Sequence, residues 1–163
     1  MTGQPAGLHR NSRRVLEAAA ALGLRLEVTR FPAGTRTAQD AAAAIGCEVG
    51  AIVKSLVLVS AEGPLMALTS GRNRADYGKV AKALGVNGVT RADAGTVRAA
   101  TGYPIGGTAP FGHPQPLPTL LDADLLAYEE VWAAAGTPET VFPLTPKALL
   151  EITAARIADI AER

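Results

Sequence analysis

Apolar positions recur along this chain with two different periods, separated by Gly, Pro and short polar residues. Val15, Leu16, Ala19 and Leu22 share one stripe at helical spacing, with Arg10, Arg13, Arg14 and Glu17 elsewhere on the cylinder. Asn11 or Ser12 offers a side-chain oxygen to cap this helix, and Gly23 ends it. Residues 24–31 then alternate. Leu24, Leu26, Val28 and Arg30 lie on one side and Arg25, Glu27 and Thr29 on the other, which predicts a half-exposed strand. Thr37 opens a short helix that stops at Gly46.

The run AIVKSLVLVS at residues 51–60 is almost continuously apolar and rich in β-branched side chains, so it predicts a central strand buried on both faces. Gly63-Pro64 turns the chain into PLMALTSG, its hairpin partner. An amphipathic helix follows Asp76, with Tyr77, Val80, Ala81 and Leu84 on its apolar side and Gly85 at its end. Asp93 caps another, which encloses Val97 and Ala100 and stops at Gly102. Residues 102–118 hold four Gly and five Pro, too many for any regular element. Short strands near 119–121, 130–135 and 140–142 come next. A last helix has Thr145 as cap, Pro146 at its first position, and Leu149, Leu150 and Ile152 facing inward. About six or seven short strands and four or five helices, with strands often joined by turns, predict an α/β or α+β domain with a mixed, strongly curved sheet. Residues 1–23 read as an N-terminal helical extension and 24–163 as one globular unit.

Composition narrows the class. With 163 residues, 48% of them apolar and 19% charged, the chain can bury a core without disulfides or metal. No apolar run approaches the roughly 18 residues that span a bilayer. The first residues lack the apolar stretch of a secretory signal, so the cytoplasm is the expected compartment and no membrane partner is expected. Cys47 is the only cysteine; it excludes disulfides within one chain and reads as a small buried hydrophobe. The net charge of +1 hides an asymmetry: 13 of the 16 Lys and Arg precede residue 101, whereas 8 of the 15 acids follow it. Such a distribution hints at a polyanion partner.

Lys54 is the first candidate for chemistry, because it interrupts the apolar strand on the face shared by Ile52, Leu56 and Leu58. Either its ammonium reaches solvent or a neighbouring carboxylate, or it awaits a phosphate or carboxylate. Gly50 and Lys54-Ser55 do not form a phosphate loop, since Val53 stands where glycine must precede the lysine. Residues 106–112, GGTAPFG, are the second candidate. Paired glycines let main-chain amides approach a ligand and stabilise an oxyanion, or simply make a tight proline-stiffened turn. No nucleophile elbow is present, and His9 and His113 stand in a terminus and a loop where solvated histidines are the expectation. Two histidines and one cysteine at unrelated spacings make no metal site, and no cofactor is implied. Asp122, Asp124, Glu129 and Glu130 read as a solvated edge, and Trp132 reads as core.

Taken together, IVKSLV, KVAKALGV, TGYPIGGTAPFG, AAAGTP and LTPKALL resemble, in order and over residues 24–160, the YbaK/EbsC family of bacterial aminoacyl-tRNA deacylases. The same domain occurs as the editing insertion of bacterial prolyl-tRNA synthetase. The resemblance implies a barrel-like mixed sheet around a pocket for the 3′ end of a mischarged tRNA. Lys54 matches the family's strand lysine and would hold phosphate or ribose oxygens, while the amides of Gly106 and Gly107 would face the ester carbonyl. The aminoacyl pocket would draw on Phe31, Thr35, Ser55, Thr108, Pro110, Gly112, Gly136 and Thr137. Ser55 leans toward the cysteine-specific members; Thr137-Pro138-Glu139 lacks the arginine typical of them.

An aminoacyl ester is already activated, so orientation, an oxyanion site and an aligned water or substrate thiol suffice for its hydrolysis. The expected function is therefore freestanding deacylation of cysteinyl- or alanyl-tRNA(Pro), with tRNA and prolyl-tRNA synthetase as partners. The alternatives are a non-catalytic module for an aminoacyl or nucleotide ligand that docks on a synthetase, and a hydrolase for another small ester.

Overall fold

The computed structural model describes residues 7–31 and 37–163. In chain order the elements are α1 (Arg10–Ala21), β1 (Thr29–Arg30), α2 (Ala38–Ile45), β2 (Val53–Ser60), β3 (Gly63–Ser70), α3 (Tyr77–Leu84), β4 (Thr90–Arg91) and α4 (Ala94–Thr101). Then come β5 (Thr119–Asp122), β6 (Val131–Ala134), β7 (Thr140–Leu144), α5 (Pro146–Thr153) and β8 (Arg156–Ala158). Helix ends follow local chemistry. Thr37 and Asp40 form a reciprocal capping box on α2, and the side chains of Asp76, Asp93 and Thr145 cap α3, α4 and α5. Gly46, Gly85 and Gly102 close α2, α3 and α4 in the left-handed conformation.

The fold is a mixed α/β domain with two sheets. One has the order β4-β2-β3-β5-β8, in which β2 and β3 form an antiparallel hairpin from Val53↔Ser70 to Ser60↔Gly63. The pairs β3–β5 and β5–β8 are parallel. The other sheet, β1-β7-β6, is antiparallel. The two touch at one bridge, Ile52↔Trp132, so the barrel-like sheet is two open sheets set edge to edge and not a closed barrel. β2 is covered on both sides, as its composition requires. Val53 and Val57 enter the main core with Met66, Leu68, Leu121 and Phe142, and Leu58 joins a second cluster with Leu65, Val80 and Ile160. Lys54, Ser55 and Leu56 are only half-buried.

Three expectations need correction. His9, not Asn11 or Ser12, caps α1: its Nδ1 accepts from the Asn11 amide at 2.9 Å. Asn11 and Ser12 lie inside the first turn and face sideways, where Asn11 Nδ2 donates to the Gly136 carbonyl (3.0 Å) and Ser12 Oγ to the Ala135 carbonyl (2.7 Å). Those buried acceptors on the β6–β7 connection would otherwise lack a donor. Leu22 is 64% exposed, whereas Val15 and Ala19 are fully buried in the main core, so α1 packs into the domain. In residues 24–31 the alternation holds, with Leu26 and Val28 buried, but only Thr29 and Arg30 reach β7 to form a ladder. The two-residue β4 and three-residue β8 had no counterpart in the sequence reading.

Candidate active site

The site begins where β2 loses a neighbour. β3 pairs with it throughout, but on its other edge β4 reaches only Leu58 and Val59, and the Ala92 amide reaches the Val57 carbonyl at 3.2 Å. At the far end Ile52 bridges to Trp132. The gap between these contacts opens on a cavity of about 1330 Å³. Lys54, Ser55, Phe31, Gly106 and Thr108 all line it, so the structure brings the strand lysine and the glycine turn to one hollow.

Lys54 does not project into bulk water. Its ammonium donates to the main-chain carbonyl of Asn73, in the loop after β3. Burial, reinforced by the Arg74 guanidinium, pushes its pKa below the usual lysine range, and Asp122 acts in the opposite direction. The Ser55 hydroxyl is buried yet has no hydrogen-bond partner among the described residues. Such a group costs about 1–3 kcal/mol unless a ligand satisfies it.

The two glycines of the turn have different tasks. Gly106 is exposed on the cavity wall at φ +85°, and its amide has no acceptor among the described residues. The Gly107 amide is spent on the Pro104 carbonyl at 3.0 Å. A Cβ on Gly107 would lie 2.6–2.8 Å from the main chain of Thr137 and Pro138, so this glycine lets the loop pack against the β6–β7 turn. Thr108 Oγ1 donates to Pro104 as well, at 2.9 Å.

The other expected residues stand behind the wall. Thr137 is buried and pairs its hydroxyl with that of Thr140 at 2.7 Å, and Gly136 lies against Asn11. Pro110 is buried outside the lining, and Gly112 packs under the Tyr103 hydroxyl. Thr35 lies outside the described residues. His113 is part-buried, with Nε2 2.8 Å from the Ala109 carbonyl and its ring edge-on to Tyr103, so it braces the loop.

Sequence reasoning missed the support on the other side of Lys54. Asp122, expected on a solvated edge, is fully buried and accepts from the Ser70 amide (3.0 Å), the Asn73 side chain (2.9 Å) and the Asp124 amide (2.9 Å). Three donors make that burial tolerable. Trp132, expected in the core, is half-buried and lines the cavity. Arg72, Arg74 and Arg91 line it too, and none forms an ion pair among the described residues.

A half-buried cation at an open strand edge and a main-chain amide with no acceptor among the described residues line one hollow, an arrangement suited to an anionic ligand with a polar group to be oriented. The family model for the aminoacyl-tRNA editing domain matches residues 32–152, and the chain belongs to that family. Its reaction is therefore hydrolysis of the ester between an amino acid and tRNA. The chain is 33% identical over 128 residues to the Enterococcus faecalis protein named "Putative Cys-tRNA(Pro)/Cys-tRNA(Cys) deacylase EbsC", covering 78% of each. It is 29% identical over 140 residues to YwhH of Bacillus subtilis, covering 80% of this chain and 83% of that one. Among solved structures, one described as "a putative trans-editing enzyme for prolyl tRNA synthetase" superposes with a TM-score of 0.92 at 49% identity, covering 96% of this chain and 100% of that chain.

Proposed function

We propose that the cavity receives the 3′ end of tRNA(Pro) bearing a small wrong amino acid, cysteine first and alanine second, and that Lys54 and Gly106 are the groups that orient it. The observation carrying this is the shared cavity: Lys54 on β2 and Gly106, whose amide has no acceptor among the described residues, line one hollow. The cysteine preference is supported by the name of the E. faecalis relative. Prolyl-tRNA synthetase is the proposed partner, from the description of the structural neighbour. The cytoplasm is the proposed compartment; no helix among the described residues is long and apolar enough to cross a membrane.

In this mechanism Lys54 holds phosphate or ribose oxygens of the terminal adenosine. An oxygen nucleophile from water, or the substrate's own thiol when it is cysteine, adds to the ester carbonyl carbon. Charge then grows on the carbonyl oxygen, where the Gly106 N–H donates. The carbon–oxygen bond to ribose breaks, and the ribose oxygen takes the proton released by the nucleophile. Because the ester is activated, orientation and an oxyanion donor supply what the step needs without a protein nucleophile.

The test presents the protein with cysteinyl-, alanyl- and seryl-tRNA(Pro). Deacylation above the spontaneous rate for cysteine or alanine is the expected result. Binding of all three without any acceleration would overturn the enzymatic reading and leave a binding module.

A further inference from the structure

We propose that Asn73 is the positioning residue for Lys54, clamped in that role by the buried carboxylate of Asp122; the inference rests on the reading of Lys54 as a substrate-binding group. An ammonium has three donors. One goes to the Asn73 main-chain carbonyl, which leaves two for the cavity. A carboxylate in the same place would neutralise the cation it oriented. A neutral carbonyl orients it and leaves its full charge for an arriving anion.

That carbonyl is held from several directions. The Asn73 amide donates to Ser70 at 2.9 Å. Its side-chain nitrogen spends both protons on carboxylates, Asp122 Oδ2 at 2.9 Å and Asp124 Oδ2 at 2.8 Å. Asp122 also takes the Ser70 amide, so the last residue of β3 and the loop beyond it are tied to one buried group. On the outer side, the Glu162 amide donates to Arg74 (2.8 Å) and the Asp76 amide to Ile160 (2.7 Å), so residues 160–162 strap the loop down. Every donor on Asp122 comes from residues 70–73 or from its own turn. A buried carboxylate with no cation bonded to it among the described residues is expensive to keep, and what it secures here is the acceptor behind the lysine.

Asn73→Ser removes both carboxylate bonds and tests the idea. We expect kcat/KM to fall about tenfold, consistent with a slightly misplaced binding group. Introduced into Lys54→Ala, the same change should cost nothing further, because the group it positions is gone. A readout independent of substrate is the Lys54 ammonium resonance in 15N-lysine-labelled protein, slow to exchange with water in the native protein and fast in the variant. Equal losses in both backgrounds, or an unaltered Lys54 resonance, would overturn the inference. Should Asn73→Ser fail to fold, Asp124→Ala removes only the half-exposed carboxylate and should shift the resonance in the same direction. Failure of the native protein to deacylate any charged tRNA would refute the proposed function, while the resonance would still decide the role of Asn73.

Discussion

A lysine in an apolar strand is tolerated when its tip reaches water or a partner. Lys54 meets one carbonyl and otherwise faces the cavity, at a cost visible as its lowered pKa. Since the charged form is less favoured in the folded protein than in the unfolded chain, this lysine subtracts from stability at neutral pH, and the penalty fades as pH rises through the folded and then the unfolded pKa. Lys54→Met should therefore leave Tm at pH 7 unchanged or raised while lowering kcat/KM about a hundredfold or more, the order expected for loss of a positioned charged donor. Thermal melts beside deacylation rates check both halves. Lys54 was legible because it breaks a pattern. Asp122 and Asn73 were not: an acid beside other acids reads as surface, and nothing local reveals that Asp122 is met by amides from residue 70 across the sheet.

Among elements, the loop of residues 102–118 shows how one glycine can be essential for packing and its neighbour for access. Gly107→Ala places a methyl against main chain of the β6–β7 turn, so it should cost about 1–3 kcal/mol and disturb the cavity wall. Gly106→Ala meets open space and pays only for its positive φ, about 1 kcal/mol. Denaturant titrations of the two should rank them in that order. His113 makes the same loop sensitive to acid. Burial lowers its pKa below the ordinary histidine value, although its bond to the Ala109 carbonyl opposes this. The folded state prefers neutral imidazole, so stability contributed here is present above the unfolded pKa and is lost as pH falls from about 6.5 toward the folded pKa. His113→Gln should flatten that part of the Tm-against-pH curve.

Helices and the β2–β3 hairpin were readable because caps and apolar periods are local properties, as Thr37, Asp76, Asp93 and the closing glycines show. β4 and β8 are two and three residues long, shorter than any period can register, and exist because β2 and β5 offer them edges. The cap of α1 escapes a local reading for a related reason: Asn11 and Ser12 suit a cap chemically, but their partners are 125 and 123 residues away.

On the scale of the whole molecule, the uneven charge along the chain becomes a place. Four cations that precede residue 101, Lys54, Arg72, Arg74 and Arg91, line the cavity, accompanied by Asp76 and Glu162. If each cation meets one phosphate of a single-stranded RNA end, the logarithm of the binding constant should fall with the logarithm of salt with a slope of about −3. Fluorescence titrations of a short RNA ending in CCA between low and moderate salt measure it; a slope near zero would remove the phosphate contacts.

Cations gathered round a hollow without ion pairs among the described residues will also accept small inorganic oxyanions. Phosphate or sulfate buffer should then act as a competitive inhibitor, raising KM and leaving kcat alone. Turnover measured in such media would understate the catalyst, and the choice between HEPES and phosphate becomes an experimental variable in its own right.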